Sequence, residues 1–250
     1  MFGFQSGKQK FPGFGLTRNW IKRRIFRKLS YWKTNLLRHN LDVIHIEKNV
    51  FENIFNMVIN MKGKSKDNMK ARMDGYMLCH CKNMQLVYDG SWITKLKASL
   101  SLDKNAQLLV YRWLKSLCFT DGHASNISKL VSLEDCRLYG MKSHDCHLFI
   151  QTFIPLSYRD LLPKGIWGAL TEISHFFRDI CSNKLQTQHI ERLERNIIQT
   201  ICKLKMIFPP LFFNSMKHLP IHLSFEKKVE GPTQYRYMYP FKRLEIIHAS

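Results

Sequence analysis

Apolar residues that recur at intervals of three and four constrain the fold of this 250-residue chain more than any other feature. This spacing places them on one face of an α-helix, a face that is normally buried. Three such stretches occur: residues 41–61, which Gly63 ends; residues 166–180, which follow Pro163; and residues 190–204, which Pro209 and Pro210 end. We therefore predict a mainly α-helical domain, in which the last two stretches form an antiparallel hairpin.

Two further elements are predicted between these stretches. Asp103 is placed to cap the start of a helix. The inward face of that helix would hold Leu108, Leu109, Trp113, Leu114 and Leu117. Residues 84–93 have the composition of a strand or hairpin that turns at Asp89-Gly90. The chain is expected to contain at most a few short strands.

Charge is the second constraint, since 39 Lys and Arg residues face 19 Asp and Glu residues and give a net charge of +20. Such an excess predicts a polyanionic partner, and nucleic acid fits best. The first 41 residues contain no acid. We divide the chain into a glycine-rich flexible arm (residues 1–18), a basic segment (19–40), a helical domain (41–242) and a tail (243–250).

The basic segment contains KRRIFRK, in which five cations lie close to aromatic residues. These cations are Lys22, Arg23, Arg24, Arg27 and Lys28. Cations neutralise phosphates and aromatic rings stack on bases, so the segment is predicted to bind DNA, to direct nuclear import, or both. The alternative is a solvated cationic face with no partner. We expect a nuclear protein that associates with DNA.

A second motif, residues 143–147 (SHDCH), offers metal ligands in His144, Cys146 and His147. The two histidines would share a helix face, and zinc accepts imidazole and thiolate. Further ligands would have to come from Cys79, His80, Cys81, Cys118, His123 and Cys136, none of which forms a CxxC pair. The alternative, which we favour, is a helix start capped by Ser143 or Asp145 with Cys146 as apolar filling.

The sequence gives no support for most familiar enzyme classes. The chain has no phosphate-binding glycine loop, nucleophile elbow or HExxH motif. The seven cysteines have no framework spacing, which indicates a reducing compartment, and no apolar run reaches eighteen residues. We expect no membrane span, no cofactor and no small-molecule substrate.

Several ordered segments resemble the C-terminal half of plant CACTA-type (En/Spm) transposases. They are NWIKRRIFRKLSYWKTNLLRHNLDVIHIEKNV, GKSKDNMKARMD, DGHASNISKLVSL, GMKSHDCHLFIQTFIPLS, IFPPLFFNSMKHLPIHL and GPTQYRYMYPF. The resemblance runs from Asn19 to Phe241 and includes a region usually described as a domain of unknown function. It implies that the helical domain is the remainder of an RNase H-like transposase.

The resemblance also bears on Asp42 and His45. An acid or a cysteine followed three residues later by histidine recurs in such transposases, and we interpret this pair as supporting the catalytic site without binding metal. A buried acid and base would also offset each other's desolvation cost, so a scaffold role, which we favour, fits equally well. Two catalytic carboxylates are expected upstream of Met1, and Lys242 stands where the family has a glutamate. Lysine offers only donors and cannot bind Mg²⁺ in a carboxylate's place.

The sequence therefore predicts a transposon-derived fragment without strand-transfer activity that retains non-specific association with DNA. The first alternative is an interaction module that acts as a truncated regulator of intact transposase. A metal-dependent nuclease is the remote alternative.

Overall fold

The computed structural model describes residues 28–30, 34, 36–37, 40–61, 63–73, 86–89, 92–95, 98–118, 126–183, 186–209 and 212–236. The chain divides into two compact units, Met1–His39 and Asn40–Ser250. In the first unit, Lys28 is exposed, and the other four predicted DNA-contacting cations lie outside the described residues. The predicted boundaries after residues 18 and 242 also lie outside them.

The second unit is mainly helical, which confirms the predicted fold class. Its helices are α1 (Val43–Val58), α2 (Lys104–Ser116), α3 (Ile127–Leu130), α4 (Ser143–Leu148), α5 (Ile154–Ser157), α6 (Lys164–Ile180), α7 (Thr187–Ile207), α8 (Ser215–His218) and α9 (Pro220–Glu230). A π-helical segment, Phe149–Phe153, joins α4 to α5, and a 3₁₀ turn, Thr233–Arg236, follows α9.

Strands within the described residues form two small antiparallel ribbons. Strand β1 (Leu86–Asp89) pairs with β2 (Trp92–Lys95), with Asp89 opposite Trp92. This is the predicted hairpin, although its loop, residues 90–91, lies outside the described part. Strand β3 (Val131–Ser132) pairs with β4 (Arg137–Leu138). Both ribbons are short, as the sequence predicts.

Much of helix α1 is buried in the core. Its apolar residues lie on one face, and the rings of Phe51 and Phe55 pack against Phe149 with centroids 4.9 and 5.5 Å away. All three side chains are buried. Fully burying each such ring contributes about 1.5–3 kcal/mol. This packing fixes α1 against the helical run that begins with α4.

Helix α2 begins after Asp103, whose carboxylate accepts a hydrogen bond from the main chain of Ala106 at 2.8 Å. The predicted cap is therefore confirmed, but the predicted inward face is partly wrong. Leu109 is 56% exposed, whereas Tyr111 is fully buried beside Val110. Tyrosine combines a large apolar ring with one hydroxyl, and its burial turns the helix so that Leu109 faces solvent.

Helices α6 and α7 form the predicted antiparallel hairpin. Thr200 of α7 donates to Glu172, in the middle of α6, at 3.1 Å, and His189 lies 3.6 Å from Asp179, near the end of α6. Glu191 of α7 lies 3.5 Å from Lys228 of α9. None of the helices in the described residues is long and apolar enough to cross a membrane.

Candidate functional site

Glu47 places a carboxylate in the core of the second unit. Its position in α1 is four residues after Val43 and three before Val50, both buried, so it lies on the inward face of the helix. The residue is fully buried. A buried carboxylate is costly unless it is hydrogen-bonded or paired, so its partners are the first thing to identify.

Two partners of Glu47 come from the helical run of α4 and the π-helical segment. Nδ1 of His147 contacts one carboxylate oxygen of Glu47. The amide of Gln151, one turn later, donates to the other oxygen at 2.8 Å. The π segment is itself held by Ser174 of α6, whose hydroxyl donates to the carbonyl of Ile150 at 2.5 Å. Such π segments often occur at functional sites.

The third partner is Cys181, the residue that ends α6. Its Sγ lies 3.8 Å from Oε1 of Glu47. The end of α6 is fixed by the buried side chain of Lys227, whose ammonium donates to the carbonyls of Asp179, Ile180 and Ser182 at 2.9, 3.0 and 2.7 Å. A cation at a helix C-terminus satisfies free carbonyls and complements the helix dipole. The position of Cys181 is therefore well determined.

The protonation of the cluster follows from burial and pairing. Burial raises the pKa of Glu47, although the bonds from His147, Gln151 and Cys181 oppose this rise. For His147, burial disfavours the imidazolium, but its hydrogen bond and charge interaction with Glu47 outweigh burial and raise the pKa. The carboxylate and the imidazolium therefore each offset part of the other's desolvation cost.

Glu47, His147 and Cys181 together offer a carboxylate oxygen, an imidazole nitrogen and a sulfur, all within 4.8 Å of one another. In the described part of the chain, this is the group of three that could hold a metal ion.

The sequence-predicted metal ligands are only partly brought together. The rings of His144 and His147 stack with centroids 6.1 Å apart, as expected for one helix face. Cys146, 1% exposed, packs in the apolar core, and burial raises the pKa of its thiol to about 12. Asp145 accepts from the main chain of Lys142 at 2.7 Å, which is the predicted cap. The prediction missed Glu47 and Cys181.

Of the other candidate ligands, Cys118 is exposed, Cys136 is half-buried, and both are free thiols. Cys79, His80, Cys81 and His123 lie outside the described residues. So does Lys242.

Asp42 and His45 have a local structural role. The Asp42 carboxylate accepts from the main-chain N–H of His45 at 3.2 Å and so caps α1. His45 is exposed, and its ring lies 3.2 Å from the side-chain amide of Asn49. The expectation of a buried acid–base pair is therefore wrong, because a capping position lies at the surface end of the helix. The role that the resemblance implies stays a prediction.

A polar groove with a volume of about 400 Å³ lies between α6 and α7. Two carboxylates, Glu172 and Asp179, and two cations, Arg192 and Lys203, line it, so their formal charges cancel. Lys203 lies 2.5 Å from Glu172. The groove therefore has no net positive charge from these residues to attract an anion.

One comparison with known proteins finds a relationship. Residues 180–249 match the family described as Domain of unknown function (DUF4218). This domain occurs in plant transposase-like proteins. In the structure the match begins at the end of α6 and includes α7, α8 and α9, and thus both Cys181 and Lys227. No curated protein and no solved structure matches the chain significantly.

Proposed function

We propose that this chain is a nuclear, transposon-derived protein of the CACTA (En/Spm) kind that associates with DNA without sequence preference. The observation that carries the proposal is the net charge of +20. The match of residues 180–249 to a domain of transposase-like proteins supports the same origin. Binding to the phosphate backbone needs exposed cations that are not already neutralised by neighbouring acids.

The second unit supplies exposed cations on several elements. Lys48, Arg178, Lys203 and Lys228 lie within 4.0 Å of a carboxylate, and each of these pairs is at the surface. In the described residues, other exposed cations form no such ion pair. They include Lys64, Lys66, Lys70, Lys104, Arg112, Lys129, Lys142, Arg159, Lys164, Arg192, Arg195 and Lys205. Their distribution over many helices favours diffuse backbone contact over recognition of one groove.

The basic segment adds the highest local density of positive charge. Of its five central cations, Lys28 is exposed, and the rest lie outside the described residues. Five cations within seven positions can neutralise consecutive phosphates, and adjacent aromatic rings can stack on unpaired bases. We assign the main DNA contact to this segment and a secondary contact to the second unit.

Titration of a labelled random duplex with the purified chain over a salt series tests the proposal. The logarithm of the binding constant should fall linearly with the logarithm of salt concentration. With six to ten phosphates contacted, affinity should fall by roughly 10³ to 10⁵ between about 50 and 200 mM salt. An affinity that hardly responds to salt would contradict the proposal.

A second candidate function is an interaction module that binds intact transposase and regulates it. It is favoured by apolar side chains at the surface of two packed helices: Ile198 and Met206 of α7 are 48% and 75% exposed, and Phe225 of α9 is 46% exposed. Sedimentation of the chain with full-length transposase, in about 0.5 M salt, separates this function from DNA association because that salt suppresses the electrostatic contact. Changing Met206 to Lys should then weaken the complex.

A further inference from the structure

We infer that Glu47, His147 and Cys181 form a zinc site that joins three helical elements of the second unit. The ligands come from α1, α4 and the end of α6, which are far apart in the chain. These elements bring a carboxylate, an imidazole and a thiol within 4.8 Å of one another. Zinc takes oxygen, nitrogen and sulfur ligands in tetrahedral sites.

The ligand types select the class of metal. A thiolate and an imidazole are too soft for Mg²⁺ or Ca²⁺, which prefer oxygen, but suit Zn²⁺ and Co²⁺. In a tetrahedral zinc site, a sulfur and an oxygen ligand are separated by about 3.5 Å, given bond lengths of about 2.3 and 2.0 Å. The observed distance from Sγ of Cys181 to Oε1 of Glu47 is 3.8 Å. The second Glu47 oxygen and Nδ1 of His147, which are in direct contact, must move apart if both are to bind the ion.

Burial and access also fit a metal site. The Glu47 side chain is fully buried, whereas 23% of the His147 side chain is exposed, so the cluster opens to solvent on the histidine side. An ion can enter there, and a water molecule can complete the fourth position. A divalent cation also compensates the charge of the buried carboxylate.

The surrounding contacts hold the ligands in place, as outer contacts do in metal sites. Gln151 bonds the carboxylate of Glu47 and also donates to the carbonyl of Phe177 at 3.3 Å. Lys227 and Thr233 both donate to the carbonyl of Ile180, directly before Cys181, at 3.0 and 3.1 Å. Two of the three ligands are thus oriented by bonds that do not involve the ion.

The site differs from one built within residues 143–147. His144 and Cys146 are excluded from it, because Cys146 lies in the apolar core and His144 is exposed on the surface. Only His147 belongs to both arrangements. Variants of the two cysteines, Cys146 and Cys181, therefore distinguish them.

The test uses the full-length chain, stripped with a chelator and titrated with Co²⁺ as a spectroscopic probe. The wild type should bind about one Co²⁺ per chain with a thiolate-to-cobalt charge-transfer band, and Zn²⁺ should displace it. Cys181→Ser should abolish the band, and His147→Gln should weaken binding at least about tenfold. Cys146→Ala and the exposed-site control Cys202→Ser should behave as wild type.

A second measurement distinguishes loss of metal binding from failure to fold. Circular dichroism of the stripped proteins establishes that each variant is folded before titration. Zn²⁺ at about a hundred times its dissociation constant should raise the wild-type Tm by roughly 5–10 °C and leave that of Cys181→Ser unchanged. The inference is overturned if the wild type binds no Co²⁺, if Cys181→Ser keeps the band, or if Cys146→Ala loses it.

Discussion

The carboxylate of Glu47, fully buried in α1, contacts Nδ1 of His147, one hundred residues further along the chain. This contact, with those of Gln151 and Cys181, connects α1 to α4 and α6. Apolar packing alone would hold these helices together. The polar cluster adds specificity, because its hydrogen bonds form only between particular residues. The stability of the second unit should therefore depend on Glu47 more than on any surface acid.

Changing Glu47 to Ala should lower the free energy of unfolding by about 3–5 kcal/mol, because it leaves His147 and Gln151 without their buried partner. Glu52→Ala on the same helix is the matched control. Glu52 is exposed and lies 3.9 Å from Lys48, so its loss should cost less than about 0.5 kcal/mol. Urea unfolding of chelator-treated proteins measures both, and equal costs would contradict the role of Glu47.

Lys227 and Lys228 are adjacent in α9 but differ in their contacts. Lys227→Met removes a buried ammonium that donates to three carbonyls at the end of α6, and should cost about 2–4 kcal/mol. Lys228→Met removes an exposed pair with Glu191 and should cost less than about 1 kcal/mol. Thermal and urea unfolding check this order, and the reverse order would refute the capping role.

Asp67 and Arg72 form a buried two-pronged ion pair, with distances of 2.6 and 2.8 Å between guanidinium nitrogens and carboxylate oxygens. Either single change, Asp67→Leu or Arg72→Met, should destabilise the protein by about 3–5 kcal/mol because it removes the buried counter-charge of the remaining group. The double variant should be more stable than the sum of the single effects predicts. A double-mutant cycle measures the coupling, and strict additivity would count against it.

Lys217 should make stability depend on pH. Burial, and secondly the charge of Lys66, lower its pKa to about 8, while Glu52 opposes this. Lysine in the unfolded chain titrates near about 10.4, so between about pH 8 and pH 10 the unfolded state binds more protons and stability rises with pH. Below about pH 8 the folded state bears the full cost of the buried charge.

Comparison with Lys217→Met isolates this effect from other titrating groups. The unfolding free energy of the wild type minus that of the variant should increase by up to about 3 kcal/mol from about pH 7 to pH 10. Unfolding in urea at both pH values provides the measurement. A difference that stays constant, or that falls with pH, would contradict the lowered pKa.

The helices could be predicted well from the sequence because the spacing of apolar residues that defines a helix face repeats every few positions. The faces of α1, α6 and α7, the caps at Asp103 and Asp145, and the hairpin of β1 and β2 all follow from residues a few positions apart. The phase of α2 was partly wrong because the burial of Tyr111 depends on what packs against it. Local pattern alone does not contain that information.

The candidate site was only partly predictable, because its members lie far apart in the chain. His147 was a predicted ligand because His144 and Cys146 are close to it in the sequence. A helix turns about 100° per residue, however, and Cys146 faces the core instead. Glu47 could have been predicted, since a carboxylate occupies a position on the apolar face of α1. Cys181 could not, because Glu47, which it contacts, is 134 residues away in the chain.

The proposed association with DNA through the basic segment can be tested with a pair of charge-matched variants. One changes Lys22, Arg23, Arg24, Arg27 and Lys28 to Ala. The other makes the same charge change at five exposed positions of the second unit, Lys104, Lys129, Lys142, Arg159 and Lys164. Both are titrated against a random duplex over the salt series.

We predict tight wild-type binding at about 50 mM salt with a steep salt slope. The first variant should lose most of the affinity and show a slope shallower by about four to five, while the control should keep most of both. Equal losses in the two variants would contradict the assignment to the basic segment. Absence of wild-type binding at about 50 mM salt would contradict any association of the chain with DNA.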